Sequence, residues 1–303
     1  KETFHKIRAL AFPEDLHISL PLAILRDEPG YVMKLLNGMK PFSAFSLDGE
    51  TRSKIKSEGL PEWLRQVQDE KFAQDLFFYA KTGAARARLY ALYKCAAILA
   101  RLHNMGIVYG DVSPNNAFLG DGIPCDCWLI DADNLRPEFL RGGTSFYTPG
   151  LGAPEIVRGE DSSRPRTDCW AFAVMAFQML SLCHPFIGKK ILESEEECGW
   201  DNDSKNEDGC DLDDMAYAGL LPFIDDDADN SNEFRGGLPR PLIFTKNLRK
   251  IFQETLGIGR TRPHRRISMS LWALELARAF DNSLVCPDCG MSYFHGAETN
   301  CCP

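Results

Sequence analysis

Apolar residues recur at helical spacing through Ala84–His103, at Leu89, Leu92, Ala96, Ile98, Leu99 and Leu102, and predict a long helix. Residues 62–104 as a whole are rich in helix formers. Further downstream the pattern predicts helices over 167–183, roughly 246–256 and 268–280. Between these lie Val108, Phe118-Leu119 and Trp128-Leu129-Ile130, short apolar pieces among polar loops that predict short strands. Upstream, Lys1–Ala11 predicts a helix. His17–Arg26 and Gly30–Leu36 predict two strands joined by the turn Asp27-Glu28-Pro29-Gly30, and Asn37-Gly38 ends the second. The stretch Cys169–Cys183 is apolar but only 15 residues long and contains Gln178, so it reads as a buried core helix rather than a membrane span. No internal repeat is visible. From residue 286 onward the composition changes to Cys, Gly and His.

Composition narrows this picture. With 303 residues, 44% hydrophobic and 25% charged, the chain reads as one large two-lobed globular domain with appendages. A net charge of -9 argues against nonspecific nucleic-acid binding. The charge is unevenly spread. Residues 193–233 hold sixteen Asp or Glu and one Lys, a local charge of -15, which leaves +6 on the rest. A positive remainder suits a protein that handles phosphates. The acidic run also holds Gly, Asn and Ser and is expected to be a solvated loop. It is not an EF-hand: counted from Asp201, position 6 is Asn206 and position 12 is Leu212. Lys1–Leu10 has no apolar h-region, and no stretch is long and apolar enough to span a bilayer. Seven of the eleven cysteines (Cys95, Cys125, Cys127, Cys169, Cys183, Cys198, Cys210) are scattered without a framework. A cytoplasmic setting is expected, with no membrane and no nucleic acid as partners.

The candidate chemistry starts at Tyr109-Gly110-Asp111-Val112-Ser113-Pro114-Asn115-Asn116. An Asp followed five residues later by an Asn, in a loop after a long helix, suits phosphoryl transfer. The Asp accepts a hydroxyl proton and the Asn holds a metal ion on the phosphates. The same residue types are common turn formers, so this loop alone decides nothing. Leu129-Ile130-Asp131-Ala132-Asp133 adds a carboxylate at the end of an apolar strand, 15 residues after Asn116, suited to Mg²⁺ bridging phosphates. Ala153-Pro154-Glu155 starts 22 residues after Asp131, Asp168-Cys169-Trp170 opens the next apolar helix, and Arg266-Ile267-Ser268 lies far downstream.

In order and spacing, over about 240 residues, this set resembles the eukaryotic-like Ser/Thr protein kinases. The resemblance implies a kinase-like α+β fold of two lobes with a mostly helical C-lobe. It implies ATP and Mg²⁺ as cofactors and a protein as substrate. It makes Asp111 the catalytic base and Asn116 and Asp131 the Mg²⁺ ligands, with Thr148 orienting the base. Glu155 and Arg266 become a buried ion pair, and Asp168 the residue that holds the loop backbone from below. Val32-Met33-Lys34-Leu35-Leu36 is similar to the strand and hinge that meet adenine, with Met33 behind the base and backbone groups of Lys34 and Leu36 as its partners. Core packing is the other reading of Met33.

The departures are specific. Tyr109-Gly110 replaces His-Arg, so no cation beside the base receives an activation-loop phosphate. Ser113 stands where a Lys usually touches the γ-phosphate, and it joins Asp111 and Thr148 among the candidate catalytic residues. Ala132-Asp133 replaces Phe-Gly. No Gly-rich loop and no strand Lys precede the hinge, and Glu2 falls about where the helix Glu partner of that Lys would be. The sequence is expected to start partway through the small lobe, with residues 1–39 as its remnant and hinge, 40–282 as the C-lobe and 283–303 as a tail.

Gly110–Asn116, Ile130–Asp133, His184-Pro185-Phe186, Leu221–Ile224, Gly237–Arg240 and Trp272 resemble one bacterial branch. Its members are encoded beside a von Willebrand A-domain protein and a PP2C-type phosphatase in tellurite-resistance and stress loci, which implies those two proteins as partners. In the tail, Cys286-Pro-Asp-Cys289-Gly290 has the form of a zinc knuckle. A structural zinc-ribbon-like site is expected on Cys286, Cys289 and Cys302, with His295, Cys301 or a later residue as the fourth ligand. Two rival readings stay open: a pseudokinase scaffold, favoured by Ser113 and the missing small-lobe parts, and a small-molecule phosphotransferase, whose loop is similar but which lacks Ala153-Pro154-Glu155.

Overall fold

A computed structural model describes residues 7, 10, 12–27, 30–140, 142, 145–198 and 212–294, with the side chains of 194–198 excepted. Glu2, Arg141, Thr144, His295, Cys301, Cys302, most of the predicted first helix and the centre of the acidic run lie outside the described residues.

Two helices form the centre. Ala84–Asn104 (α3) has 21 residues, about 30 Å of helix at 1.5 Å per residue. Its Leu89, Leu92, Ala96, Leu99 and Leu102 are buried, as the periodicity predicts. The short helix Pro154–Val157 (α4) precedes Pro165–Ser181 (α5), which is buried nearly all round from Cys169 to Leu180, as a helix without a polar face requires. Before them come α1 (Gly49–Glu58) and α2 (Glu70–Lys81), each N-capped by an Asp side chain, Asp48 on Thr51 N and Asp69 on Phe72 N. Met269–Asp281 (α9) packs along α3 with Trp272, Leu276 and Ala279 buried. Lys246–Phe252 (α8) continues into a π-helical turn over Gln253–Ile258.

The strands are short. β1 (Ala23–Ile24) and β2 (Tyr31–Val32) form an antiparallel hairpin. The single strand expected over His17–Arg26 is in fact divided: Ile18 bridges in parallel to Leu129, and only Ala23–Ile24 pairs with β2. Pro21 separates the two halves and has no N–H for a ladder. β3 (Lys40–Pro41), β5 (Ala117–Leu119) and β6 (Cys127–Leu129) form an antiparallel sheet in the order β3-β5-β6. β4 (Ile107–Val108) pairs with β7 (Arg136–Pro137).

The acidic run departs from the solvated-loop expectation. Helices α6 (Lys189–Cys198) and α7 (Leu212–Tyr217) flank its undescribed centre. Leu221, Phe223 and Ile224 enter the core. Asn232 is fully buried and pins this segment, donating to Phe186 O at 3.0 Å and Pro222 O at 2.8 Å.

The C-terminal hairpin, β8 (Ser283–Val285) with β9 (Ser292–Phe294), docks on the start of α3. Ser292 Oγ accepts from Ala85 N at 2.8 Å and Arg86 N at 3.3 Å, so a residue two hundred positions away caps this helix. Between β8 and β9, Gly290 N donates to Cys286 O and Cys286 N to Met291 O, closing a tight turn at Cys286–Gly290 in which Gly290 has φ +73°. Among the described residues no three metal-ligating side chains come together, and no helix is long and apolar enough to cross a membrane.

Candidate active site

The loop 109–116 is positioned from below by one carboxylate. Asp168, in the first turn of α5, accepts from Tyr109 N at 2.8 Å and Gly110 N at 2.9 Å. His103, at the end of α3, adds a bond from Nε2 to Asp168 Oδ2 at 2.9 Å. Tyr109 is buried and its hydroxyl donates to Ile130 O, which ties the loop to the end of β6. Gly110 has φ +87°, and a Cβ there would meet Asn134 O at 3.1 Å. A side chain such as Arg would be strained at this position, so the glycine has a backbone reason.

Asp111 follows this clamp. Thr148 Oγ1 donates to one carboxylate oxygen at 2.9 Å, and Asn116 Nδ2 donates to the other at 3.0 Å and to the Asp111 carbonyl at 3.0 Å. The β5–β6 register sets Asn116 beside Asp131: Ala117 pairs with Leu129, and Ile130 N donates to Asn116 O at 2.9 Å. Asp131 adopts φ 55°, a left-handed conformation that costs of order 1–3 kcal/mol and concentrates at functional sites. Burial, then Asp133, then Asp111 raise the Asp131 carboxyl above its ordinary value. Asp111, Asn116, Asp131 and Thr148 are thus one cluster. Ser113 sits in the same loop but is 3% exposed. Met33, Lys34 and Leu36 follow β2, where Lys34 O accepts from Ser19 Oγ at 3.3 Å and Lys34 Nζ lies 4.6 Å from the Trp128 ring.

Three contributors were not singled out from sequence. His103 carried a weak signal, a basic residue in the last turn of a helix. Tyr109 carried none beyond its place in the motif. Tyr31, on β2, faces Asp133, and burial and that carboxylate raise its phenol well above the usual range.

The structure also shows why Ala153-Pro154-Glu155 and Arg266 belong together. Arg266 donates to both Glu155 oxygens, at 2.6 and 2.8 Å, in a buried bidentate pair.

The chain is similar to Ser/Thr protein kinases. It is 30% identical over 143 residues to human serine/threonine-protein kinase Sgk2, covering 45% of this chain and 38% of that one. It is 30% identical over 129 residues to a RAC family serine/threonine-protein kinase homolog of Dictyostelium discoideum, covering 42% and 26%. Over 156 residues it is 29% identical to serine/threonine-protein kinase PknD of Chlamydia pneumoniae, covering 45% and 16%. The match therefore spans well under half the length of each relative. The chain matches no protein-family model. Its mixed helix-and-sheet architecture is compatible with a kinase-like fold.

His103 gives the cluster a pH dependence. Burial would lower its pKa, but the hydrogen bonds to Asp168 and Cys169 outweigh that and raise it to about 9. A raised folded value means the imidazolium stabilises the fold fully below the unfolded value, about 6.5. That contribution, on the order of 3 kcal/mol, fades as pH rises towards 9. Melting temperatures of wild type and His103→Gln, measured from pH 6 to 9.5, are expected to converge as pH rises. Parallel curves would remove the linkage.

Proposed function

We propose that the protein transfers the γ-phosphoryl group of Mg²⁺-ATP to a Ser or Thr hydroxyl of a protein substrate. The observation that carries this is the Asp111 carboxylate, held on one oxygen by Thr148 and on the other by Asn116, on a loop clamped by Asp168. The donor set fits a hard divalent cation. The Asn116 amide nitrogen is spent on Asp111, which leaves its oxygen for a metal, and the crowding of Asp131 by Asp133 and Asp111 is relieved by positive charge. Asn116 and Asp131 would hold Mg²⁺, which supplies neutralisation of phosphate charge when bound. Asp111 takes the proton of the attacking hydroxyl, the new O–P bond forms, and the bond to the ADP oxygen breaks. Thr148 fixes the orientation of Asp111. Met33, Lys34 and Leu36 would line the adenine site.

The finer setting rests on resemblance alone: a cytoplasmic role in bacterial stress or tellurite-resistance signalling, with von Willebrand A-domain and PP2C-type partners. A structural zinc on Cys286 and Cys289, completed by Cys302 and by His295, Cys301 or a later residue, rests on the Cys-x-x-Cys spacing and the tight turn at Gly290. Transfer of ³²P from ATP onto the protein and onto candidate partner proteins tests the central reading. Label that is independent of Mg²⁺, or that never exceeds a protein-free control, would overturn it.

The segment after Asp131 is braced without a phosphate. Arg136 Nη2 donates to Leu140 O at 2.6 Å and Gly142 O at 2.9 Å, and Ser145 Oγ accepts from Ser163 N at 2.9 Å. With glycine at 110, the residue preceding the base supplies no cation to receive a phosphate. Phosphatase treatment is therefore expected to change the transfer rate by less than about twofold, whereas Arg136→Ala lowers it about tenfold. Silencing by phosphatase, reversed by one phosphate on this segment, would show the opposite control.

A further inference from the structure

At the far end of the β5–β6 hairpin, away from Asp111, a second cavity of about 600 Å³ opens. That size lies within the range of small-molecule sites. Its walls come from the β3 region, the α2–α3 junction, the hairpin turn and Val285 of the C-terminal hairpin. The apolar part is formed by Pro41, Phe45, Leu119, Ile123 and Val285. Ile123 and Val285 are 44% and 49% exposed, large side chains left bare on a concave surface.

The charges around this cavity run against the charge of the chain. Lys40, Lys81 and Arg86 line it and, among the described residues, Asp121 is their only anionic companion on the wall, although the whole chain carries -9. Lys40 pairs with Asp121 at 2.9 Å and Lys81 with Glu58 at 2.5 Å. Both pairs are exposed, and such pairs are worth little. Arg86 has only neutral partners among the described residues: its Nη1 donates to Phe280 O, Ser283 O and Ser283 Oγ.

Behind the wall lies a second guanidinium with the same deficit. Arg88 is 0% exposed and donates only to neutral oxygens, Thr82 Oγ1 at 2.8 Å, Ala84 O at 3.0 Å, Phe45 O at 3.4 Å and Tyr79 O at 3.5 Å. Among the described residues its Nε has no hydrogen-bond partner, and the guanidinium lies 4.0 Å from the Tyr79 ring centroid. Phe45 and Thr82 belong to the cavity wall, so this cation backs directly onto it. Buried charges are normally paired, because an uncompensated one costs several kcal/mol. Burial pulls the Arg88 pKa down to about 10.

We propose that this cavity binds a small amphipathic anion. Its apolar body lies against Phe45, Leu119, Ile123 and Val285. Its carboxylate, sulfonate or phosphate is held by Arg86 with Lys40 and Lys81, and Arg88 adds positive potential from behind. The site is separate from the phosphoryl-transfer reading and stands or falls without it. It is also mechanically connected to that region, since the hairpin that closes the cavity carries Asn116 and Asp131 at its other end.

The test uses 8-anilinonaphthalene-1-sulfonate, an aromatic sulfonate, titrated by fluorescence into the whole protein. Saturable binding at one site is expected, with affinity at least about tenfold weaker in Ile123→Glu and in the Lys40→Glu, Lys81→Glu double variant. All three positions are exposed on the wall, and unchanged circular dichroism will confirm that the variants remain folded. Decanoate and decyl phosphate are expected to displace the probe, and their relative strength tells whether a carboxylate or a phosphate is preferred. Decyltrimethylammonium and MgATP are expected to leave it bound. Displacement by MgATP would place the probe in the nucleotide site, and equal displacement by the cationic amphiphile would reduce the cavity to an apolar patch. Either result, or unchanged affinity in the variants, overturns the proposal.

Discussion

Replacing Asp111 by Asn is expected to lower phosphoryl transfer about 10²–10⁴-fold, the range for loss of a general base. The substitution preserves shape and removes the proton acceptor. It also changes the local bonding. Asp111 offers one oxygen to Thr148 Oγ1 and the other to Asn116 Nδ2. An amide supplies one oxygen and one NH₂, so one of these two donors loses its acceptor and the side chain is held less firmly. Asp131→Ala is expected to abolish transfer, because Asn116 alone is a poor ligand for Mg²⁺. Initial rates at saturating MgATP on one protein substrate are the measurement. If wild type and both variants transferred at equal rates, the chemistry would belong elsewhere. A stable fold in all three, checked by urea unfolding, keeps the two losses from being confused with misfolding.

The parts of this protein that were legible in the sequence are those in which local chemistry and spacing coincide. The apolar spacing of Leu89, Leu92, Ala96, Leu99 and Leu102 gives α3, because a helix must place such residues on one buried face. The meeting of Glu155 with Arg266, implied by the resemblance to the kinases and not by local spacing, is found as a buried bidentate pair. Less was legible where a strand is too short for its own period to register. Residues 17–24 divide between two sheets, and two paired residues carry no alternation to read. The acidic run misled for another reason. Its charge density hides Leu221, Phe223, Ile224 and the buried amide of Asn232, which draw its C-terminal part into the core. The cap on α3 by Ser292 had no sequence signal at all, because the residue that satisfies Ala85 N comes from the other end of the chain.

Breaking the Glu155–Arg266 pair is expected to cost about 3–5 kcal/mol, the largest stability effect of any single change described above. Glu155 is 8% exposed and Arg266 1%. Arg266 makes four hydrogen bonds: two go to the carboxylate, Nε donates to Gly259 O at 2.9 Å, and Nη1 also reaches Arg166 O at 3.2 Å. The guanidinium lies 4.9 Å from the Trp170 ring centroid. A Cβ on Gly259 would come within 2.7 Å of the Arg266 Cγ, so this glycine makes room for the arginine. Arg266→Ala removes all of these contacts and leaves a carboxylate buried without a counter-charge. Arg266→Lys keeps the charge, but it replaces a planar fork by a single ammonium, so it is expected to recover only part of the loss. The double variant Glu155→Gln, Arg266→Met removes both charges while filling similar volume. It is expected to lose less than the sum of its two single variants, because neither partner is left alone. Urea unfolding of the four proteins closes the cycle. A single-variant cost below about 1 kcal/mol would mean that the pair is hydrated and weak. A cost near 4 kcal/mol with strong non-additivity would identify the pair as the tie between the helix that begins at Pro154, immediately after the segment carrying Thr148, and the chain entering α9.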